Sequence, residues 1–531
     1  MNTTPSPVTC TATQMPLCEE SVYFSKEALN GVPWLIANKI ILLFVYMGLS
    51  ILTVRLLGPQ EYGRFVLVRS IMEVLVVFCA LGLDVSLLRF IPELTAHRNR
   101  AGLSRLVVRS LALQQVAAVI ALAVLLLLRP FLTKWFGMDF KGLLVPAGLL
   151  LGATMFKDAL NNIFTALFRT RTVALLSLVN GLLWLGLLVV SLRWRPEASL
   201  ALSAQTASLL LVYGVSLIVL TRLIRGLPWR SPPQGIGRER VLKLSLPIML
   251  NALLRMLMLK YTEVFFLGLY FTPTIIGYYD LGYATPMLVL TLIPAALQTL
   301  FMSAFAQAYT RDPNCLGRMI DSVYKITILI VVPLAAFGVF FAPRGIVLLY
   351  GQGMAPAGLI ASAFCVLHVL PLISTPLSIA ITVKEKVLQM LPYMVLQVGI
   401  NLLLDWALIP RFGMYGAVAA VGGTFLLTIP WRLKAVRSIL GGIHFPLAFF
   451  LRQLLVMGVI AAALSPLAPR LNLFTLPLLG GAYLLCYPLL IRLLRLVRPA
   501  DVADLRALNM SRVNRLLNLL MGSAPRAKVK K

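Results

Sequence analysis

Apolar windows long enough to cross a bilayer recur along almost the whole chain, and this recurrence limits the fold more than any other feature of the sequence. A spanning helix needs about 20 apolar residues. Windows of that kind fall at 34–54, 66–87, 106–128, 143–165, 173–192, 199–221, 244–269, 282–305, 324–342, 357–381, 388–409, 413–431, 447–467 and 473–494. The expected fold class is therefore an all-α polytopic membrane protein with about 14 transmembrane helices. Composition agrees: 59% of the 531 residues are hydrophobic and 13% are charged. Ordinary globular chains carry roughly a quarter charged residues, so the apolar excess must face lipid.

The net charge of +29 raises the possibility of a nucleic-acid partner. The basic residues, however, sit in short gaps between apolar runs rather than in one patch, and no nucleic-acid-binding module is visible. Gaps after even-numbered windows hold Arg98, Arg100 and Arg105, Arg169 and Arg171, Arg222 to Arg240, Lys384 and Lys386, and Arg432 to Arg437. Gaps after odd-numbered windows hold fewer, such as Arg344, Arg411 or Arg470 alone. That bias predicts cytoplasmic termini in a bacterial inner membrane. The stretch 1–33 lacks a basic start followed by an apolar core, so it is not expected to be a cleaved signal. The six cysteines and three histidines are scattered, which argues against a disulfide framework or a metal site.

A weak repeat runs through the chain. Pro33 and Pro247, Gly63 and Gly277, Gly137 and Gly351, and Pro196 and Pro410 are each 214 positions apart. Several coincidences at one ungapped offset, each between spans, point to duplication of a six-helix unit. The expected organisation is a cytoplasmic segment 1–33, an N-lobe 34–222, a linker 223–243, a C-lobe 244–434, two further spans in 435–496 and a basic cytoplasmic tail 497–531. In the tail, Leu505, Leu508, Leu516, Leu517 and Leu520 can share a face of a helix lying on the anionic leaflet, or the tail is solvated and disordered.

The segment Arg55–Glu93, RLLGPQEYGRFVLVRSIMEVLVVFCALGLDVSLLRFIPE, resembles the signature of the polysaccharide transporter family, the O-antigen and exopolysaccharide flippases. Asn401–Gly423, NLLLDWALIPRFGMYGAVAAVGG, resembles that family's turn between the eleventh and twelfth helices. The resemblance covers essentially all of the chain after Trp34 and places it in the multidrug, oligosaccharidyl-lipid and polysaccharide exporter superfamily. It implies a flippase that moves a polyprenyl-pyrophosphate-linked oligosaccharide to the periplasmic leaflet for lipopolysaccharide or other surface polysaccharide. Membrane lipids and a polysaccharide polymerase with its chain-length machinery are the implied partners. A cation-coupled multidrug or small-molecule exporter of the same superfamily is the competing reading. No phosphate-binding loop, paired-carboxylate motif or large extramembrane domain is present in the sequence, so no enzyme activity is expected and no cofactor beyond coupling to H⁺ or Na⁺. In the motifs themselves, Gly58, Pro59 and Gly63 read as a compact hairpin and the glycines after Arg411 as close helix packing.

Charges within spans are expensive and so informative; insertion scales put each at about 2.5–3.5 kcal/mol at the bilayer centre. Given the pyrophosphate that the resemblance implies, the candidate cavity cations are Lys39, Arg69, Arg255 and Lys260, with Asn38 and Asn251 as polar neighbours at nearly equivalent places in the two halves. The competing reading, a snorkelling or structurally paired cation, is the stronger one for Lys260, near a helix end; for Arg255 the cavity reading is stronger. Glu73, Asp158, Glu263 and Asp405 are the ion-coupling candidates. Arg69 and Glu73 are spaced to pair along one helix face, Asp84 and Arg89 are expected to form an interfacial pair, and His368 is expected to be hydrogen-bonded within an apolar run.

Overall fold

The computed structural model describes residues 17–96, 99–226, 237–258, 260–311, 316–441, 445–472 and 474–493; the side chains of 17–40 and of scattered later positions lie outside it. The tail after 493, with its leucine-rich face, and residues 1–16 also lie outside the described residues. What is described is helical, without a β-strand.

The helices, in chain order, are α1 Leu17–Ala80, α2 Leu83–Ala96, α3 Arg100–Leu127, α4 Arg129–Phe136, α5 Leu144–Ala166, α6 Thr170–Trp194, α7 Ala198–Gly226, α8 Arg238–Leu257 and α9 Tyr261–Tyr270. They continue as α10 Pro273–Arg311, α11 Leu316–Tyr350, α12 Pro356–Leu367, α13 Val369–Ile373, α14 Thr375–Val383, α15 Leu391–Leu440, α16 Leu447–Leu464 and α17 Thr475–Leu493. Among the described residues, eight helical stretches are long and apolar enough to cross a membrane, and nine if the bent pair α8–α9 counts as one span. Two of the eight contain a glycine outside helical geometry. In α1, Gly58 leaves helical geometry (φ 71°, ψ 175°). In α15, Gly413 does so (φ 57°, ψ −133°), and Gly416 then lies against the Leu408 carbonyl. A straight helix would hold residues eight apart at about 12 Å, so the chain turns back here.

The hairpin expected from the Gly58–Gly63 motif is tighter than its sequence suggests. Gly58 alone leaves the helix, and residues 59–63 already belong to the next helical turn. The motif's other side chains join distant parts of the chain. Glu61 accepts a hydrogen bond from the Ala198 amide at 3.1 Å, placing a carboxylate at the N-terminus of α7. Tyr62 donates to Asp280 Oδ2 at 2.6 Å, and Arg55 donates to the carbonyls of Leu348 and Leu349, each at 2.7 Å. Those carbonyls end α11 and have no helical partner of their own.

Gly63 and Gly277, paired by the 214-residue offset, meet in space. A methyl on Gly63 would overlap the Pro273 carbonyl, and one on Gly277 would stand 3.0 Å from the Pro59 carbonyl. Pro59 and Pro273 are themselves 214 apart, so each half presents the same patch to the other. Reciprocal contact of this kind is the mark of a two-fold relation, and it supports two pseudo-symmetric helical halves.

One apolar cluster runs from Leu49 through Leu220 and takes in Val264–Tyr283, Ile346–Phe364 and Ile409–Val421. A second holds residues within Leu290–Ala336 and Val369–Ile381, with Val436 and Ile439 of α15, Phe449, Met457 and Ala461 of α16, and Tyr483 and Tyr487 of α17. The halves therefore fuse at the end that carries Gly58, Gly351 and Gly413. At the opposite end the contact is narrower and polar: Arg240 forms two hydrogen bonds to Glu93 (2.8 and 3.1 Å), and Ser86 meets Ser245 at 2.7 Å. Arg89 also pairs with Glu93, at 3.2 Å, whereas Asp84 accepts from Gln114; the expected Asp84–Arg89 pair does not form. The two are five positions apart, which turns them to different faces, while Arg89 and Glu93 are four apart.

The last helices dock through a proline. Pro333 lacks the N–H that would bond the Leu329 carbonyl, and Tyr487 of α17 donates to that carbonyl at 2.8 Å. An unsatisfied carbonyl in lipid costs several kcal/mol, so the tyrosine fixes where α17 sits.

Candidate functional site

Two polar chambers lie between the helices. The central one, about 300 Å³, is walled by α1, α6, α9 and α10 and contains Arg69, Glu73, Lys260, Tyr261 and Asp280. The second, about 450 Å³, extends between α5, α6 and α7 and contains Lys157, Asp158, Asn180 and Gln205. Tyr46, Arg69, Glu73 and Trp184 line both, so they form one branched cavity.

Lys260 enters it because the seventh span is broken. α8 ends at Leu257, α9 begins at Tyr261, and the two axes differ by 54°. The break exposes Lys260 and Tyr261 to the cavity instead of burying them along a continuous helix. Lys260 pairs with Asp280, which also accepts from Tyr62, and Tyr261 donates to Glu73. Arg69 holds the other Glu73 oxygen at 2.8 Å, as its four-residue spacing predicts. Lys157 and Asp158 pair at 2.9 Å. The branched cavity thus holds Arg69, Lys157 and Lys260 against Glu73, Asp158 and Asp280, with no net charge.

Two of the four cations picked from the sequence, Arg69 and Lys260, meet here with Glu73 and Asp158. Arg255 does not: it is exposed and has no hydrogen-bond or ion-pair partner among the described residues, while its neighbour Met256 faces the second chamber. Asn251, half-buried on the same helix, lines neither chamber. The side chains of Asn38 and Lys39 lie outside the described residues. Asp280 and Tyr62 were not picked from the sequence. Tyr62 sat inside a motif read as a turn, and Asp280 fell just outside the predicted span 282–305.

Glu263 and Asp405 occupy a different place. On α9 and α15, they converge on one side chain: Asn401 Nδ2 lies 3.2 Å from Glu263 Oε1, 2.9 Å from Asp405 Oδ2 and 3.2 Å from Thr262 Oγ1. Thr424 Oγ1 stands 3.1 Å from Asn401 Oδ1. Asp405 is 0% and Glu263 2% exposed, and Asp405 Oδ1 has no partner among the described residues. Two buried carboxylates thus share one amide donor, and Asp405 Oδ1 is left without a partner among the described residues, where a proton can be held, or a hard cation if the amide turns its oxygen inward. His368 stands close to these helices with Nε2 3.2 Å from the Tyr283 carbonyl, hydrogen-bonded as expected.

The membrane-spanning helices thus surround a branched polar cavity between two similar halves. The model of the family described as polysaccharide biosynthesis protein matches residues 52–357, and the chain belongs to that family. Among solved structures the fold is similar to the lipid II flippase MurJ in an inward closed conformation, at 14% identity and a TM-score of 0.69, over 86% of this chain and 97% of that one. It is also similar to a multidrug resistance MATE family transporter of the MOP superfamily. The inward-facing conformation gives a TM-score of 0.58 at 18% identity over 75% and 94% of the two chains, and the outward-facing one gives 0.52 at 18% over 76% and 96%. No curated protein matches in sequence. The fold is that of the MOP transporters, and the chain is a multi-pass membrane protein.

Proposed function

We propose that this protein is a flippase for a polyprenyl-pyrophosphate-linked oligosaccharide, carrying it from the cytoplasmic to the periplasmic leaflet of a bacterial inner membrane by alternating access, with no catalytic step. The observation that carries the reading is the branched polar cavity, which offers Arg69, Lys157 and Lys260 inside an otherwise apolar bundle. A diphosphate takes the place of Glu73 and Asp280 at the guanidinium and ammonium groups, exchanging one set of charge-assisted hydrogen bonds for another. The lobes 34–222 and 244–434 rock about the contact at Gly63 and Gly277. By the distribution of basic loops that contact is periplasmic, and both termini are cytoplasmic. The Glu263–Asp405 site takes the coupling H⁺ or Na⁺. The O-antigen, capsule or exopolysaccharide polymerase and its chain-length partners then receive the glycan.

A second reading, export of a small organic cation, draws support from the charge balance, because Glu73 and Asp280 suit a cationic cargo. The leaflet distribution of polyprenyl-linked glycan in cells depleted of the protein separates the two. Build-up on the cytoplasmic face, reversed by restoring the protein, is expected of the flippase. Unchanged distribution and unchanged surface glycan, with no redundant transporter, transfers the assignment to small-molecule export.

A further inference from the structure

The second chamber carries features that the diphosphate does not use. Asn180 and Trp184 lie four apart on α6 and so face the same way, and Gln205 joins them from α7. Asn180 is 6% and Trp184 8% exposed. Asn180 Oδ1, Trp184 Nε1 and Gln205 Oε1 are buried with no hydrogen-bond partner among the described residues. Three orphaned polar atoms around one chamber are costly, and native interiors rarely keep them without a ligand or water to serve them. Much of the remaining wall is apolar, including Leu150, Leu151 and Leu209, with Tyr46 and Thr154 beside it, and the Lys157–Asp158 pair closes one side.

The chemistry of these atoms selects the occupant. The two amides and the indole N–H together carry donors and acceptors, so a group that both donates and accepts serves them in either amide orientation, whereas one that only accepts, such as phosphate, leaves the amide oxygens unserved. A sugar hydroxyl both donates and accepts, as water does, and replaces water without losing hydrogen bonds. A pyranose ring also has apolar faces that suit the indole and the leucines. The two chambers meet at Arg69, Glu73 and Trp184, so a group attached to a diphosphate held at Arg69 and Lys260 reaches the second chamber directly.

We propose that the chamber between α5, α6 and α7 is a sugar subsite in which Asn180, Trp184 and Gln205 hold the first sugar of the lipid-linked glycan and set which glycan is accepted. This rests on the flippase reading above, and the test separates the two.

The probes are farnesyl diphosphate and the same lipid bearing a single glucose, galactose or N-acetylglucosamine, bound to the full-length protein in lipid nanodiscs. At least one glycosylated probe is expected to bind about tenfold more tightly than the bare diphosphate, from two or three added hydrogen bonds. Gln205→Leu and Asn180→Leu each reduce that preference by roughly threefold to tenfold and leave the affinity for farnesyl diphosphate unchanged. Trp184→Phe keeps a ring in place, removes the N–H and acts in the same direction, which guards against a misfolded variant. Arg69→Gln weakens every probe. If the wild type binds the bare and all glycosylated probes equally, or if the α6 and α7 variants weaken all probes alike, the sugar subsite is overturned and the flippase reading stands. If the wild type binds none of them, both fall.

Discussion

Asp405→Asn tests the proposed coupling site with a magnitude that follows from the structure. Glu263 Oε1 and Asp405 Oδ2 lie 3.2 and 2.9 Å from the same Asn401 nitrogen, so they are at most about 6 Å apart. Two full charges at that separation repel by about 3 kcal/mol at an effective dielectric of 20, and burial keeps water from screening them. A Na⁺ bound by both, with the Asn401 amide turned to present its oxygen, turns the repulsion into attraction. Without Na⁺, the amide variant should therefore be more stable than the wild type by up to about 3 kcal/mol. With Na⁺ at a hundred times its dissociation constant, the wild type should gain about 2.7 kcal/mol and the variant nearly nothing. Thermal unfolding of the purified protein, with Na⁺ exchanged for N-methylglucamine at constant ionic strength, measures both. A wild type indifferent to Na⁺, or a variant with an undiminished Na⁺ response, refutes the Na⁺ site.

Two further variants address the contact between the halves. Arg55→Ala removes two hydrogen bonds to the end of α11; being exposed, the side chain contributes only about 1–2 kcal/mol, which shifts an open–closed equilibrium roughly fivefold to thirtyfold. Spin labels at Gln60 and Gln352 should then report a larger long-distance population, and an unchanged distribution rejects Arg55 as a latch. Gly63→Ala drives a methyl into the Pro273 backbone and should open or destabilise that end, whereas Gly186→Ala, with nothing within 4 Å, should be neutral or stabilising by up to about 1 kcal/mol. Equal effects of the two on thermal stability and on label distance rule out the close approach at Gly63.

The helical, membrane-spanning character was legible because it rests on period-independent apolar length, which a window count detects. The halves were legible because glycine and proline mark the places where backbones touch, and the pair Gly63 and Gly277 turned out to be such a place. The polar sites were only partly so. Glu263 and Asp405 were each conspicuous as charges in apolar runs, but the amide that joins them, Asn401, is ordinary within the NLLLD stretch, and the pair is separated by 142 positions. Arg255 lies outside both chambers because one residue turns a helix by about 100°, so Met256 faces the second chamber and Arg255 does not. Lys260, for which a snorkelling or structurally paired role was the stronger reading, is paired with Asp280 and lines the cavity, between the end of α8 at Leu257 and the start of α9 at Tyr261, where no glycine or proline announces a break.

What the two halves share and what they do not divide the work of the molecule. The 214-residue offset preserves Pro59 with Pro273 and Gly63 with Gly277, the residues that set how the halves touch. The same offset maps Arg69 onto Tyr283, Glu73 onto Met287, Glu263 onto Leu49 and Asp405 onto Ser191. Contact geometry is duplicated, while the cavity charges and the carboxylate site are each present once. The helix α9 connects these single-copy sites over four consecutive residues: Lys260 and Tyr261 bond Asp280 and Glu73 in the cavity, and Thr262 and Glu263 bond Asn401 on the other side. A cation that draws Glu263 toward Asp405 must turn or shift this short helix, and with it the ammonium and phenol that hold the cavity's carboxylates. If the proposed carboxylate site takes the coupling ion, coupling by this route would be a rigid displacement of ten residues between two polar networks, with no relay through the apolar core.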